Sequence, residues 1–171
     1  MDNNKAMLNV LEDLLTKALK KGADAADAVH IESQSLSVAQ RLGNAEKLER
    51  SESSDIGLRV FFGKRQAIVS SSDSSSKALE ELIDRVISMA KVVPEDPYCG
   101  LANKEQLVTD IIDVDSFDPS EPTTETLIDW ANRAEDAARS IPGITNSEGA
   151  EAGWGKATVS VAATNGFSQV Y

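Results

Sequence analysis

The only histidine in the chain is the first place to look for chemistry. His30-Ile31-Glu32 matches the His-x-Glu half of the zinc-deaminase signature, in which the histidine binds zinc and the glutamate moves a proton. The Pro-Cys-x-x-Cys half does not occur in the sequence. A zinc peptidase would instead need two histidines one helical turn apart, because zinc takes several neutral or anionic ligands. We therefore predict no metal ligand here, and interpret His30 and Glu32 as neighbours on one face of a strand.

The sequence also lacks the groups that would activate a serine or cysteine nucleophile. A serine nucleophile needs a base, and the sequence has neither a Gly-x-Ser-x-Gly elbow nor a second histidine. The one cysteine, Cys99, follows Pro97-Tyr98 with no evident activating group. A lone thiol excludes an intramolecular disulfide framework and indicates a reducing compartment. We predict no catalytic residue and a cytoplasmic location.

Two further patterns resemble ligand sites only loosely. One is a set of glycines without Gly-x-Gly-x-x-Gly spacing, which we interpret as turns between strands: Gly149, Gly153 and Gly155. The other is a set of aspartates that could gather a hard cation: Asp110, Asp113, Asp115 and Asp118. Their spacing departs from the calcium-loop pattern, which favours a solvated acidic loop. The sequence therefore predicts no cofactor-binding residue.

Charge and length narrow the possible partners. The chain has 171 residues, with 17 Lys and Arg against 28 Asp and Glu, for a net charge of -11. Such a charge repels a phosphate backbone, so we expect no direct nucleic-acid binding. The N-terminus does not read as a signal peptide, and no apolar run approaches the roughly 20 residues that span a bilayer. We expect no membrane association, and a core that needs neither disulfides nor metals.

The elements that must position these residues follow from hydrophobic spacing. Apolar residues recur every three or four positions in three stretches, which predicts helices over residues 7–18, 79–90 and 127–138. Gly22 is placed to end the first helix. The serine run before the second helix supplies its cap, because hydroxyl oxygens satisfy free amides. Pro142-Gly143 closes the third helix.

Alternating patterns predict an antiparallel meander over residues 28–71 and a final hairpin around Asn165-Gly166. Val29 and Ile31 alternate on one parity and later apolar residues on the other, so we expect a bulge near Ser33-Gln34-Ser35. Gly43-Asn44 is interpreted as a turn. A polar strand over residues 45–51 follows it, at an edge of the sheet or on its solvent-exposed face. Three glutamates mark that strand: Glu46, Glu49 and Glu52. The predicted class is α+β, an antiparallel sheet meander with helices packed on one face.

Several stretches, taken in order, resemble the N-terminal region of the PmbA/TldD family, and the PmbA (TldE) branch more than the TldD branch. The resemblance lies in residues 36–44 with Glu46 and Glu49, then residues 56–67 and Ser71-Ser72-Asp73, then residues 94–101, 143–150 and 164–167. No single stretch is decisive, but the ordered set covers nearly the whole chain.

The resemblance implies a bacterial or archaeal cytoplasmic two-domain protein. In that family the TldD member carries a zinc-binding His-Glu-x-x-x-His motif in its C-terminal half, whereas the PmbA member typically lacks the motif and pairs with TldD. The pair acts as a metallopeptidase on unfolded or small peptides. By resemblance, residues 1–171 form the non-catalytic N-terminal domain of such a two-domain subunit. Because the chain stops inside a predicted strand, we expect the domain to be truncated at its C-terminal end, without the catalytic-type domain.

The resemblance also implies the cofactor and the partners. Zinc belongs in the TldD-type partner and not in this segment, and the implied partners are a TldD-type subunit or a homo-oligomer together with a peptide substrate. An alternative, taken from the family's older label "modulator of DNA gyrase", is a gyrase-associated regulatory module. A plain interaction module without a peptide role is a third possibility.

Overall fold

The computed structural model describes residues 2–112 and 114–171 of the chain. Its helices are α1 (Asp2–Lys20), α2 (Ser76–Val92) and α3 (Thr124–Arg139), with a 3-10 turn at Lys104–Gln106. Its strands are β1 (Ala25–Arg41), β2 (Asn44–Phe62), β3 (Arg65–Ser71), β4 (Ala150–Ala163) and β5 (Ser168–Val170). The strands form one antiparallel sheet in the order β3-β2-β1-β4-β5, which confirms the α+β class. No helix within the described residues is long and apolar enough to cross a membrane.

The described chain divides into two compact units. Unit 1 comprises Met1–Glu32, Ser53–Ile111 and Thr158–Tyr171, and unit 2 comprises Ser33–Glu52 and Ile112–Ala157. Strands β1, β2 and β4 are long enough to contribute residues to both units.

The core of unit 1 lies between two amphipathic helices and one face of the strands. Both helices bury a stripe of aliphatic side chains at the predicted spacing: Leu11, Leu14, Leu15 and Ala18 from α1, and Leu79, Leu82, Ile83, Val86, Ile87 and Ala90 from α2. The side chains that the strands contribute to this core are mainly Ala26, Ala28, Ile56, Leu58, Val60, Ala67 and Ala162. Each fully buried Leu, Ile or Val contributes about 1.5–3 kcal/mol, so this interface is the main apolar contribution to the stability of the unit.

Local capping fixes the start of α2. Ser75 lies in extended backbone before the helix, and its Oγ accepts a hydrogen bond from the Ala78 amide at 3.4 Å. Asp73 in turn accepts from the Ser75 amide at 2.8 Å, and these bonds hold the pKa of Asp73 below its usual range. The prediction that the serine run caps a helix is confirmed.

Unit 2 has a smaller core under α3. Leu127 and Ala131 of the helix pack on Val38 of β1, and all three are almost fully buried. Partly buried side chains extend this contact: Leu36, Ile128, Ala150 and Ala152. The helix predicted over residues 127–138 is confirmed, and α3 ends at Arg139, before Pro142-Gly143. Of the predicted apolar stripe, however, only Leu127 and Ala131 are buried, and the exposed members are Trp130, Ala134, Ala137 and Ala138.

Strand β1 corrects one prediction. It runs without interruption through Ser33-Gln34-Ser35, and the same parity is buried on both sides of that stretch, so the expected change of parity was wrong. Even-numbered positions are buried towards both ends of the strand, from Ala26 to His30 and at Val38 and Gln40, whereas Val29 is half-buried and Ile31 exposed. Closely packed helices leave room for alanine but not for larger side chains, so the bulky residues mark the opposite face.

The β1–β2 turn lies one residue earlier than predicted. Leu42 and Gly43 occupy it, with φ values of 51° and 75°, and not Gly43 and Asn44. Positive φ at both central residues is the type I′ hairpin geometry, whose twist matches that of the strands. Asn44 supports the turn from outside, since its Nδ2 donates to the Leu42 carbonyl at 3.2 Å.

Replacing Leu42 with asparagine should stabilise the protein by up to about 1 kcal/mol, because asparagine tolerates the left-handed region that a leucine occupies at a cost. The measurement is the midpoint of urea unfolding. Leu48→Asn is the control, since Leu48 is also an exposed leucine but lies in the regular strand β2. If Leu42→Asn lowers the midpoint, relief of backbone strain is not the controlling effect.

Strand β4 is longer than predicted. It begins at Ala150 and not near Thr158, so Gly153 and Gly155 lie inside a strand and their interpretation as turn residues was wrong. Gly153 lies beside the β1 backbone at Leu36 and Ser37. Small and polar residues concealed this half of the strand, because the alternation that signals a strand needs apolar side chains on one face.

Candidate functional site

The residues with catalytic potential are used structurally. His30 is only 5% exposed, on the helix-facing side of β1, and its Nε2 lies 2.9 Å from Ser54 Oγ. Glu32, its partner in the deaminase-like pattern, is exposed. Cys99 is buried, in the segment after α2, and Lys64 Nζ donates to its carbonyl oxygen at 3.3 Å.

The acidic segment behaves as turn structure. Asp118 accepts a hydrogen bond from the Ser120 amide at 2.8 Å, which lowers its pKa and marks a local turn. Asp113 lies outside the described residues. In the part of the chain that the structure describes, no three His, Cys, Asp or Glu side chains come together as metal ligands would.

Unit 1 contains a cleft of about 430 Å³ on the sheet. Asp27 of β1 and Arg59 of β2 form an ion pair within it, in which Arg59 Nε donates to Asp27 Oδ1 at 3.1 Å and Nη2 donates to Oδ2. Asp27 raises the pKa of Arg59, whose guanidinium also lies 5.1 Å from the centre of the Phe61 ring. The pair is partly exposed, so the cleft offers both a donor and an acceptor to a ligand.

The walls of this cleft come from two connections. Residues 100–108 form one wall, and Asn165 Nδ2 tethers them by donating to the Ala102 carbonyl at 3.0 Å. The final hairpin forms the other, and the apolar lining is Leu101, Leu107, Val108, Val161, Ala163 and Phe167. Asp27 and Arg59 were not predicted from the sequence as site residues, although opposite charges on adjacent strands are a signal that cross-strand pairing rules can use.

Unit 2 contains a polar network around the β1–β2 turn, which we call the hairpin network: Leu42, Gly43, Glu135, Ser147 and Gly149. Glu135 of α3 is 2% exposed, and its Oε1 accepts from the Leu42 amide at 2.9 Å. That bond, the Ser147 side chain and the Gly43 amide lower the pKa of Glu135. Ser147 Oγ also accepts from the Gly149 amide at 2.9 Å. A buried carboxylate therefore joins the helix to the turn.

Unit 2 also carries a free strand edge. β3 pairs with β2 only from Ile56 to Phe62, and every residue of the stretch Asn44–Glu52 is exposed. Glu49 forms an ion pair with Lys47 at 2.7 Å, and Glu52 forms one with Arg50 at 3.0 Å. The prediction of a polar strand at an edge is confirmed.

Comparisons with known proteins agree on one family. The family model described as PmbA/TldA metallopeptidase domain 1 matches residues 26–90. Metalloprotease PmbA of Escherichia coli O157:H7 is 31% identical over 149 residues, which are 85% of this chain and 33% of that protein. The chain belongs to the PmbA/TldD family. A metalloprotease PmbA homolog of Haemophilus influenzae is 29% identical over 158 residues, 87% of this chain and 35% of that protein.

Solved structures show the same fold within the PmbA/TldD family. A protein of Bacteroides thetaiotaomicron described as a modulator of DNA gyrase aligns over 100% of this chain and 39% of its own, with a TM-score of 0.77 and 19% identity. TldE of Thermococcus kodakarensis aligns over 95% of this chain and 36% of its own, with a TM-score of 0.75 and 15% identity. The chain spans about a third of the length of the curated PmbA relatives that it matches.

Proposed function

We propose that this chain is the non-catalytic N-terminal domain of a PmbA/TldE-like subunit in a TldD/TldE-type metallopeptidase complex, which degrades or processes unfolded or small peptides. The match to domain 1 of a metallopeptidase family carries the proposal. The curated relatives named metalloprotease PmbA add support along most of the chain.

The non-catalytic assignment rests on how the reactive side chains are used. The imidazole of His30 lies under the helices beside Ser54, and the thiol of Cys99 is buried. A peptidase must present its base or metal ligands to a substrate that reaches them from solvent. These two groups face the interior, so the proposal assigns the zinc and the attacking water to a TldD-type partner.

The role that remains for this chain is to hold or enclose the peptide, and the cleft at Asp27 and Arg59 suits that role. An unfolded peptide offers backbone amides and apolar side chains together. The ion pair supplies an acceptor and a donor, and the surrounding aliphatic side chains supply an apolar surface. Positioning of this kind lowers the entropic cost of bringing a scissile bond to a metal-bound water.

A gyrase-associated role, the alternative, draws on the names of structural relatives. The net charge of -11 supports the peptide role over direct contact with DNA, since the chain repels phosphate.

The test is a cleavage assay on an unstructured peptide with three samples: this chain alone, a TldD-type subunit alone, and that subunit mixed with a protein that carries this domain at the full length of the PmbA relatives. We expect no cleavage by this chain, and chelator-sensitive cleavage by the pair. In the pair, Arg59→Gln should raise KM roughly tenfold with kcat unchanged, as expected when one charge-assisted hydrogen bond to bound peptide is lost.

Arg50→Gln is the matched control for that variant, because Arg50 also forms an ion pair but is not among the residues that line the cleft. Equal effects of the two substitutions would rule out the cleft as the binding wall. Chelator-insensitive cleavage by the purified chain alone would overturn the non-catalytic assignment.

A further inference from the structure

The stretch Asn44–Glu52 of β2, which we call the free edge, has strand β1 on one side and no other strand of the described chain on the second side. Its side chains are exposed on both faces of the sheet. An open edge presents a row of backbone N–H and C=O groups that can pair with another strand. In unit 2, β2 is therefore ready to accept a partner.

Charged side chains usually protect such an edge from unwanted pairing. The free edge has five of them, the last at Glu52, and four flank one exposed leucine: Glu46 and Lys47 before Leu48, and Glu49 and Arg50 after it. Leu48 is 64% exposed. Read forwards, the charges run negative, positive, leucine, negative, positive. Read backwards, every sign is reversed, so the segment is complementary to its own antiparallel copy.

We propose that the free edge is a homodimer interface, in which β2 of a second copy pairs antiparallel with it about a two-fold axis at Leu48. Leu48 then lies opposite Leu48 of the second copy, Lys47 opposite Glu49, and Glu46 opposite Arg50. By symmetry, each charged pair forms twice. Directly opposed residues of opposite charge stabilise a strand pair, and like charges destabilise it.

Neighbouring registers lack this complementarity. Moving the axis to Lys47 places two lysines opposite each other, and moving it to Glu49 places two glutamates opposite each other. An axis midway between two residues would oppose side chains that point to opposite faces of the sheet, which regular antiparallel pairing does not allow. The charges that deter a foreign strand therefore also select one register for a second copy.

The monomer already pairs Lys47 with Glu49 and Arg50 with Glu52 along the same strand, and Glu46 with Arg41 of β1. Dimerisation exchanges these exposed pairs for cross-strand pairs, so the favourable change comes from the backbone hydrogen bonds and from burial of Leu48. A single strand pair is a small interface, and we expect a dimer that dissociates on dilution and at high salt. The cleft at Arg59 is a different surface, so the proposed function and the dimer can fail independently.

The test is sedimentation equilibrium of this chain at low ionic strength. Wild type should show a monomer–dimer equilibrium. Lys47→Glu places two glutamates opposite each other in each half, Glu49→Lys places two lysines, and each variant should dimerise at least tenfold more weakly. The double variant restores opposite charges and should dimerise like wild type.

A mixture of the two single variants is the sharpest arm of the test. Lys47→Glu and Glu49→Lys are mutually complementary in this register, so their equimolar mixture should form a heterodimer although neither forms a homodimer. Thermal melting of each variant confirms that the fold is retained. A monomeric wild type would overturn the proposal and indicate that the free edge pairs with a different partner. Single variants that dimerise as wild type does would also overturn it.

Cross-linking fixes the axis. In a Cys99→Ala background, Leu48→Cys should form an intermolecular disulfide under mild oxidation, because directly opposed strand residues have Cα atoms about 4.5–5.5 Å apart. Glu46→Cys is the control, since its symmetry mate lies about 13 Å away along the strands. Equal cross-linking at both positions would contradict the register.

Discussion

A Gly149→Ala variant should unfold at a much lower urea concentration than wild type, with a loss of roughly 3 kcal/mol or more in the free energy of unfolding. Gly149 has a φ of +97°, which is costly for any residue with a Cβ. An added Cβ would also lie 2.6 Å from the carbonyl oxygen of Gln40, which is backbone and cannot move aside freely. The variant must therefore displace the start of β4 from β1.

Gly143→Ala separates the two causes. Gly143 has nearly the same φ, +95°, but an added Cβ there meets nothing within 4 Å. It should lose only the backbone cost of about 1–2 kcal/mol. If Gly149→Ala is no more destabilising than Gly143→Ala, the close approach of Gly149 to Gln40 does not govern stability.

Glu135→Gln should lower the free energy of unfolding at neutral pH and make it less dependent on pH in the acidic range. The carboxylate accepts from the Leu42 amide, the Ser147 side chain and the Gly43 amide, and these bonds hold its pKa below the usual range. Glutamine keeps one acceptor oxygen but replaces the other with an amide nitrogen. A buried donor of the hairpin network then loses its partner.

The sign of the pH effect follows from the lowered pKa. Because the unfolded chain binds the proton more readily, the contribution of Glu135 is fully present above the unfolded value of about 4.3 and is lost as pH falls through the lower folded pKa. The difference in urea midpoint between wild type and Glu135→Gln should therefore narrow in acid. Asp136→Asn is the control on the same helix, because Asp136 is exposed. A difference that stays constant with pH would show that Glu135 acts through packing and not through charge.

Sequence patterns sufficed for the elements whose signals are local. The three helices follow from apolar residues at a spacing that one helix face explains, and the Ser75 cap needs only its own neighbours. The turn at Gly63-Lys64, between β2 and β3, and the polar first half of β2 were likewise predictable. Both depend on residues that are adjacent in the sequence.

The remaining features depend on contacts that adjacent residues do not encode. Glu135 and Leu42 are 93 positions apart in the chain, so the charge of one gives no sign of the backbone geometry of the other. Asp27 and Arg59 meet only once β1 and β2 are in register. The buried face of β1 did not follow from the sequence, because Ala28 is a weaker hydrophobic signal than Val29, although the packing of α1 and α2 selects the smaller side chain.

Because Cys99 is buried, the rate at which a thiol reagent modifies it measures how often the surrounding segment opens. A thiol reagent can reach the buried sulfur only when the segment after α2 opens, and the Lys64 side chain holds that segment through the Cys99 carbonyl. When reclosing is faster than labelling, the rate of modification reports the free energy of that opening and not of global unfolding. One cysteine in the whole chain makes the reading unambiguous, because every labelled molecule has opened at the same place.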